Sequence, residues 1–172
     1  MLRRPQSSTQ SGSSAASDGY KGQPFGDLIL TEDDGAITAL GWGQAPRQDR
    51  SDLLDAALGQ LNEYASGERQ SFDLPLRVKG SDFQRQVCAA ILAIPFGDTR
   101  TYGEIAGDLD VPAQAVGRAC GGNPIPLIIP CHRVMGAKGL TGFSGAGGVE
   151  TKIWLLYPSY RGRRAIRCGP RW

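Results

Sequence analysis

Thr101-Tyr102-Gly103-Glu104-Ile105-Ala106-Gly107-Asp108-Leu109-Asp110-Val111-Pro112-Ala113-Gln114-Ala115-Val116-Gly117-Arg118-Ala119-Cys120 reads as two short helices around a tight turn. Thr101 is a helix N-cap with Glu104 three positions on, in the first turn, where the helix dipole favours an anion. That predicts a helix over Tyr102–Leu109. Asp110-Val111-Pro112 breaks it, and a second helix over Ala113–Cys120 follows, built from small residues. Two short helices about such a turn form a helix-turn-helix pattern.

Upstream, Ser81 opens another helix. Its apolar stripe of Phe83, Val87, Cys88, Ile91 and Leu92 ends before Pro95, and Phe96-Gly97-Asp98 makes a turn. Further back, Asp27–Thr31 and Ala36–Trp42 read as two strands joined by Glu32-Asp33-Asp34-Gly35, a hairpin signal. Ser51 or Asp52 caps a helix carrying Leu53, Leu54, Ala57, Leu58, Leu61 and Tyr64, which stops at Ser66-Gly67. Phe72–Val78 is extended and contains Pro75, so it reads as an edge or connector. Downstream, Gly142–Gly148 is a glycine-rich loop and Glu150–Leu156 a final helix. Residues 1–23, rich in Ser, Gly and Gln, have almost nothing to bury and read as a disordered leader. The division expected is therefore leader 1–23, an α/β part 24–78, a mainly helical part 79–158 and a basic tail 159–172.

Composition narrows the chemistry. The chain has 172 residues, enough for one ordinary domain or two small ones without covalent staples. No apolar run approaches a membrane span, and Arg3 and Arg4 are not followed by the apolar segment of a signal peptide, so the expected location is the cytoplasm. The four cysteines, Cys88, Cys120, Cys131 and Cys168, include no C-x-x-C pair, and His132 is the one histidine. Zinc is thus poorly supported, and disulfides are not expected in a reducing compartment. Cys88 and Cys120 read as core, and Cys168 as incidental. The net charge of +2 is uneven: everything after Glu150 carries six basic residues and no acid, while the remainder has 13 basic against 17 acidic side chains. Bulk charge does not by itself announce a nucleic-acid partner.

Asn123-Pro124-Ile125-Pro126-Leu127-Ile128-Ile129-Pro130-Cys131-His132-Arg133-Val134 is where chemistry concentrates. Three prolines hold an extended backbone just before a Cys-His pair. A cysteine is nucleophilic as its thiolate, and an imidazole can take the proton directly or through water. Adjacent strand residues point to opposite faces, so Cys131 and His132 meet only if the chain bends or water bridges them.

The ordered set Phe83-Gln84-Arg85-Gln86-Val87, Ile94-Pro95-Phe96-Gly97, Thr101–Ala106, Ala115-Val116-Gly117, Gly122-Asn123-Pro124, Ile129–Val134 and Gly142-Phe143-Ser144-Gly145 resembles the O6-alkylguanine-DNA alkyltransferases. The match is strong from Ser81 to Leu156, weaker over Gly26–Arg77 and absent at both ends. The resemblance implies an α/β fold: a small ribonuclease-H-like N-terminal part, here with few strands, followed by a winged-helix-like DNA-binding domain. It implies single-turnover transfer of an alkyl group from O6-alkylguanine in double-stranded DNA to Cys131 after base flipping, by a monomer with no cofactor. By the same resemblance His132 is a water-mediated base, Tyr102 donates to the departing base, and Asn123 orients the turn. Val134, Phe143 and Ser144 line the base pocket; Thr101, Gln114, Ala115, Gly117, Arg118 and Arg133 face DNA.

Three departures from the family pattern bear on this. Gln114 stands where relatives carry an inserting arginine, which predicts weaker flipping or DNA affinity, with Arg118 as a partial substitute. Ser159, after Pro158, stands where a glutamate polarises the histidine. That predicts a poorer base and a Cys131 thiol that stays more protonated. From Tyr157 the composition changes abruptly to an arginine-rich tail, read as disordered. The competing readings are a non-catalytic lesion-binding protein, a winged-helix regulator recognising one undamaged sequence, and a cysteine hydrolase.

Overall fold

The computed structural model describes residues 11–15, 27–43, 49–140, 142, 143, 145 and 147–161. Strands β2 (Leu28–Asp33) and β3 (Ala36–Trp42) form the expected antiparallel hairpin. Asp34 and Gly35 make its turn with φ of +49° and +71°, the twist-matched geometry that Asp-Gly favours. Strand β1 (Ser11–Ala15) pairs antiparallel with β2, from Ser11 opposite Glu32 to Ala15 opposite Leu28. This corrects the expectation of a wholly disordered leader. Strand pairing satisfies backbone groups and needs no apolar side chains, so composition gave no sign of it.

Helix α1 (Asp52–Ser66) lies against this sheet. Ser51 caps it by accepting from Leu54 N at 3.1 Å and donates to Glu32 on β2, so one side chain both starts the helix and anchors it. Leu54, Ala57, Leu61 and Tyr64 are buried with Leu28, Leu30, Ile37 and Leu40. Phe72–Val78 behaves as the edge expected of it: Ile37 N donates to Pro75 O at 2.8 Å and Arg77 N to Ile37 O at 2.9 Å.

Helix α2 (Asp82–Leu92) buries Val87, Cys88 and Ile91. Helices α3 (Tyr102–Leu109) and α4 (Ala113–Gly121) form the helix-turn-helix, and Asp110 between them adopts φ +53°. Gln84 ties α2 to α4 by donating Nε2 to Ala119 O at 2.7 Å. A parallel pair not foreseen from the sequence, β4 (Arg100–Thr101) with β5 (Val134–Met135), sets the start of α3 beside the Cys-His segment. Two-residue strands carry no periodicity, so nothing local marks them. The last helix, α5 (Gly148–Arg161), runs beyond the expected Glu150–Leu156 and takes in Pro158 and Ser159. A proline inside a helix removes one hydrogen bond and bends the rod without always ending it. The rest of the arginine-rich tail lies outside the described residues.

Candidate active site

The backbone leading to Cys131, the candidate nucleophile, is braced by Asn123. Its Oδ1 accepts from Ile125 N at 3.0 Å and its Nδ2 donates to Ile129 O at 2.9 Å, bracketing a tight turn closed by Ile129 N to Ile125 O at 2.9 Å. Leu127, at the apex, has φ +70°, a region in which a side chain costs about 1–2 kcal/mol. Ile125, Leu127, Ile128 and Ile129 are all buried, which over-determines the strained turn. Leu40 N donates to Pro124 O at 2.8 Å, joining the turn to β3. Cys131 N then donates to Ile129 O at 2.8 Å, and Cys131–Arg133 form one turn of 3-10 helix.

Cys131 is 6% exposed. Its thiol is held below the ordinary cysteine value, first by a hydrogen bond from the Cys120 thiol, then by Asn123, the Lys152 ammonium and its own backbone, against burial, which pushes the other way. Cys120, as the donor, is pushed far up by that bond and by burial.

Lys152 was counted in the sequence only among the tail's basic residues, yet it is 1% exposed and donates Nζ to Val134 O at 2.6 Å. Burial lowers its pKa, while Cys120 and Cys131 raise it. The signal was present: Lys152 precedes Leu155 and Leu156 by three and four positions, on the stripe that α5 buries. Tyr64 was also missed, read only as the end of an apolar stripe.

His132, the expected water-mediated base, packs toward α1. The ring is fully buried; Nε2 lies 3.4 Å from the Tyr64 hydroxyl, and Nδ1 has no hydrogen-bond partner among the described residues. Burial, then the charges of Arg133 and Lys152, lower its pKa to about 3. It is neutral at pH 7 and a weak base. The unfolded chain takes up a proton below 6.5 that the folded one refuses until about 3, so stability falls as pH falls through that window. Between pH 7 and 5 this amounts to about 2 kcal/mol. Urea unfolding at the two pH values should show that loss in the wild type and a flatter dependence in His132→Gln.

The DNA-facing candidates divide. Gln114 and Arg118 are exposed on α4, with Ala115 and Gly117 half-buried between them. With Tyr102 and Ala113 the exposed pair and Gly117 line an open cavity of about 560 Å³. Cys131, Val134 and Phe143 do not line it. Thr101 is engaged in a reciprocal cap: Glu104 N donates to its Oγ1 at 3.2 Å and Thr101 N to Glu104 Oε2 at 2.6 Å. Arg133 is a correction. It is 7% exposed, donates Nη1 to Ile94 O at 2.7 Å and lies over the Phe96 ring at 5.6 Å, so it serves the interior and is not offered to a phosphate. An arginine in place of Gln114 would add one phosphate-seeking charge to the exposed face. Gln114→Arg should tighten DNA binding and steepen its salt dependence by about one released counterion, read as the slope of log affinity on log salt.

Of the expected pocket residues, Val134 is fully buried and contributes its carbonyl to Lys152. Phe143 is half-buried and meets Trp42 of β3 edge-on at 6.1 Å. A Cβ on Gly145 would fall 2.2 Å from Phe143 and 2.7 Å from Trp42, so this contact requires glycine there. Ser144 lies outside the described residues. Ser159 falls within α5. Among the described residues no group of His, Cys, Asp or Glu could hold a metal ion, and no helix is long and apolar enough to cross a membrane.

Residues 82–158 match the family described as 6-O-methylguanine DNA methyltransferase, DNA binding domain. The chain is 43% identical over 148 residues to the methylated-DNA–protein-cysteine methyltransferase of Mycolicibacterium paratuberculosis, covering 77% of this chain and 86% of that one. The crystal structure of Mycobacterium tuberculosis O6-methylguanine methyltransferase superposes with a TM-score of 0.74 at 36% identity, over 92% of this chain and 97% of that one. The Mycobacterium tuberculosis OGT in complex with DNA gives 0.69 at 42% identity, over 83% and 91%. With its buried, donor-flanked cysteine set beside a helix-turn-helix, the chain belongs to the methylated-DNA–protein-cysteine methyltransferase family.

Proposed function

We propose that this protein repairs DNA by direct reversal, moving an alkyl group from O6-alkylguanine in double-stranded DNA to Cys131 once per molecule. The observation that carries the reading is the placement of Cys131, buried in a 3-10 turn that follows the Asn123-braced loop and set beside the start of α3 by the β4–β5 pair, with its ionised form favoured there. An interior thiol kept only for packing has its pKa raised, as Cys88 does.

The lesion base, turned out of the helix, presents its alkyl carbon to Cys131 Sγ. The S–C bond forms as the C–O6 bond breaks, and guanine leaves. Tyr102, half-buried where the α4 cavity begins, hydrogen-bonds the departing base and limits charge on it. Asn123 holds the sulfur in place. Phe143, propped by Trp42, and Val134 and Ser144 bound the base. His132 in its neutral form is a reserve base of low strength, and its hydrogen bond to Tyr64 locks the 3-10 turn onto α1. The thioether has no good leaving group, so the protein is consumed, and no step calls for a cofactor.

Docking is through the exposed face of α4, Gln114 and Arg118 foremost. We read 79–158 as the DNA-binding and catalytic part, winged-helix-like on the strength of α3, α4 and the β4–β5 pair. Residues 24–78 are the smaller part, a reduced ribonuclease-H-like unit supported by the hairpin and α1. Action as a monomer in the cytoplasm agrees with Cys88, Cys120 and Cys131 all being free thiols.

Incubation with O6-benzylguanine DNA, followed by intact mass and peptide mapping, tests the reading. One benzyl group on Cys131 is expected. Binding to alkylated DNA with no gain in mass would instead establish the lesion-binding alternative, which Gln114 in the exposed first turn of α4 favours.

A further inference from the structure

In the reading above, Phe143 is a wall of the base pocket, yet it stands on a segment poorly suited to hold it. Gly142, Gly145, Gly147 and Gly148 flank it, and Gly147 and Gly148 take φ of +83° and +54°. Glycine backbone loses more freedom on ordering than any other, so such a loop by itself fixes a ring loosely. What fixes Phe143 comes from the other part of the chain.

Trp42 is the last residue of β3. It stands opposite Leu28 in the ladder, and Gly43 N donates to Asp27 O at 3.0 Å immediately beyond, so the sheet holds its backbone. The indole and the Phe143 ring meet edge to face, centroids 6.1 Å apart and planes at 87°, an arrangement that aromatic quadrupoles favour. A Cβ built on Gly145 would fall 2.2 Å from Phe143 Cε1 and 2.7 Å from Trp42 Cη2, so the loop backbone lies directly against both rings. Cη2 is at the far edge of the indole, beyond the reach of a phenyl group on the same stem. Trp42 Nε1 is buried and has no hydrogen-bond partner among the described residues. A phenylalanine would cover the end of the sheet without that orphaned donor, so packing on β3 does not account for an indole here. Its reach into the loop does.

We propose that Trp42 is a positioning residue that determines specificity: through Phe143 it sets the width of the base pocket, and so the size of alkyl group admitted. The proposal rests on the alkyltransferase reading, in which Val134 and Phe143 bound the base. Val134 has no room to give, being fully buried with its carbonyl tied to Lys152 on α5. Phe143 is the adjustable side, half-buried on the glycine loop with Trp42 against it. With the indole in place the ring cannot recede, and a base carrying a small group is gripped. With the indole shortened, the ring backs into the vacated space. The pocket then loosens its hold on the small lesion while opening to the bulky one. Trp42 itself touches no reacting atom; it places the ring that meets the base.

Single-turnover alkylation of the intact protein by excess DNA carrying O6-methylguanine or O6-benzylguanine, each followed by mass, gives a benzyl-to-methyl ratio of rate constants. Trp42→Phe, which keeps aromatic packing on β3 and lacks Cη2, should raise that ratio by on the order of tenfold, chiefly by slowing methyl transfer. Loss of folded molecules lowers both amplitudes alike and leaves the ratio untouched, so a merely structural role would not move it. Gly145→Ala, whose Cβ is caught between the two rings, should slow methyl transfer in the wild type by on the order of tenfold. In the Trp42→Phe protein the same change should cost much less, because the vacated space takes the displaced ring. A Trp42→Phe protein whose ratio is unchanged or lowered overturns the proposal and leaves the repair reading intact. So does a Gly145→Ala change that slows both backgrounds equally. A wild type that acquires neither alkyl group overturns both.

Discussion

Cys131→Ala is expected to gain no alkyl mass at any concentration of O6-benzylguanine DNA and still to bind DNA as the wild type does. The alanine has no lone pair to offer the alkyl carbon, so the loss is complete rather than graded. The surroundings should stand. Asn123 keeps its grip on the backbone of Ile125 and Ile129, and the 3-10 turn is held by Cys131 N and Arg133 N, which alanine retains for the first and does not touch for the second. Removing one buried sulfur leaves a small void worth about 1 kcal/mol. The exposed face of α4 is turned away from the site of change. Intact mass and a DNA titration on the same preparation check both halves. A persistent mass gain would move the acceptor to another thiol, Cys120 first.

Lys152→Met should slow alkylation at neutral pH by about 10- to 100-fold, with much of the rate recovered as the pH is raised. The ammonium is one of the groups that hold the Cys131 thiol down. Without it the thiolate fraction at pH 7 falls, and each unit of increase in pKa costs a factor of ten until the solution pH catches up. Methionine matches the lysine stem in length and fills the same buried space. Stability should change little: the Val134 carbonyl loses its donor, a cost of about 1–2 kcal/mol, while the folded protein no longer buries an ammonium, a saving of similar size. Rate against pH, with urea unfolding beside it, separates chemistry from folding. A variant that is slow at every pH by the same factor would show that Lys152 positions the Val134 carbonyl and does not act on the thiol.

The corrected expectations share a cause. Arg133 looked like a phosphate ligand because an arginine beside a nucleophile in a DNA-facing domain has that chemistry available. The Ile94 carbonyl and the Phe96 ring that claim it lie far off in the chain. The groups that favour the ionised form of Cys131, a thiol from α4 and an ammonium from α5, likewise lie on other elements. β1 went unseen because its pairing is made by the backbone.

The sequence by itself determined the helix starts at Ser51, Ser81 and Thr101, the Asp34-Gly35 turn and the helix-turn-helix, and it singled out Cys131 as the candidate nucleophile. Caps, turns and stripes are contests between neighbours in the chain, and their outcome is written within a few residues. Only the tertiary structure decided that His132 answers to Tyr64, 68 positions away, and that Cys120, Asn123 and Lys152 act together on the Cys131 thiol. Burial and proximity set the charge of a group, and both arise only when segments distant in the chain pack together.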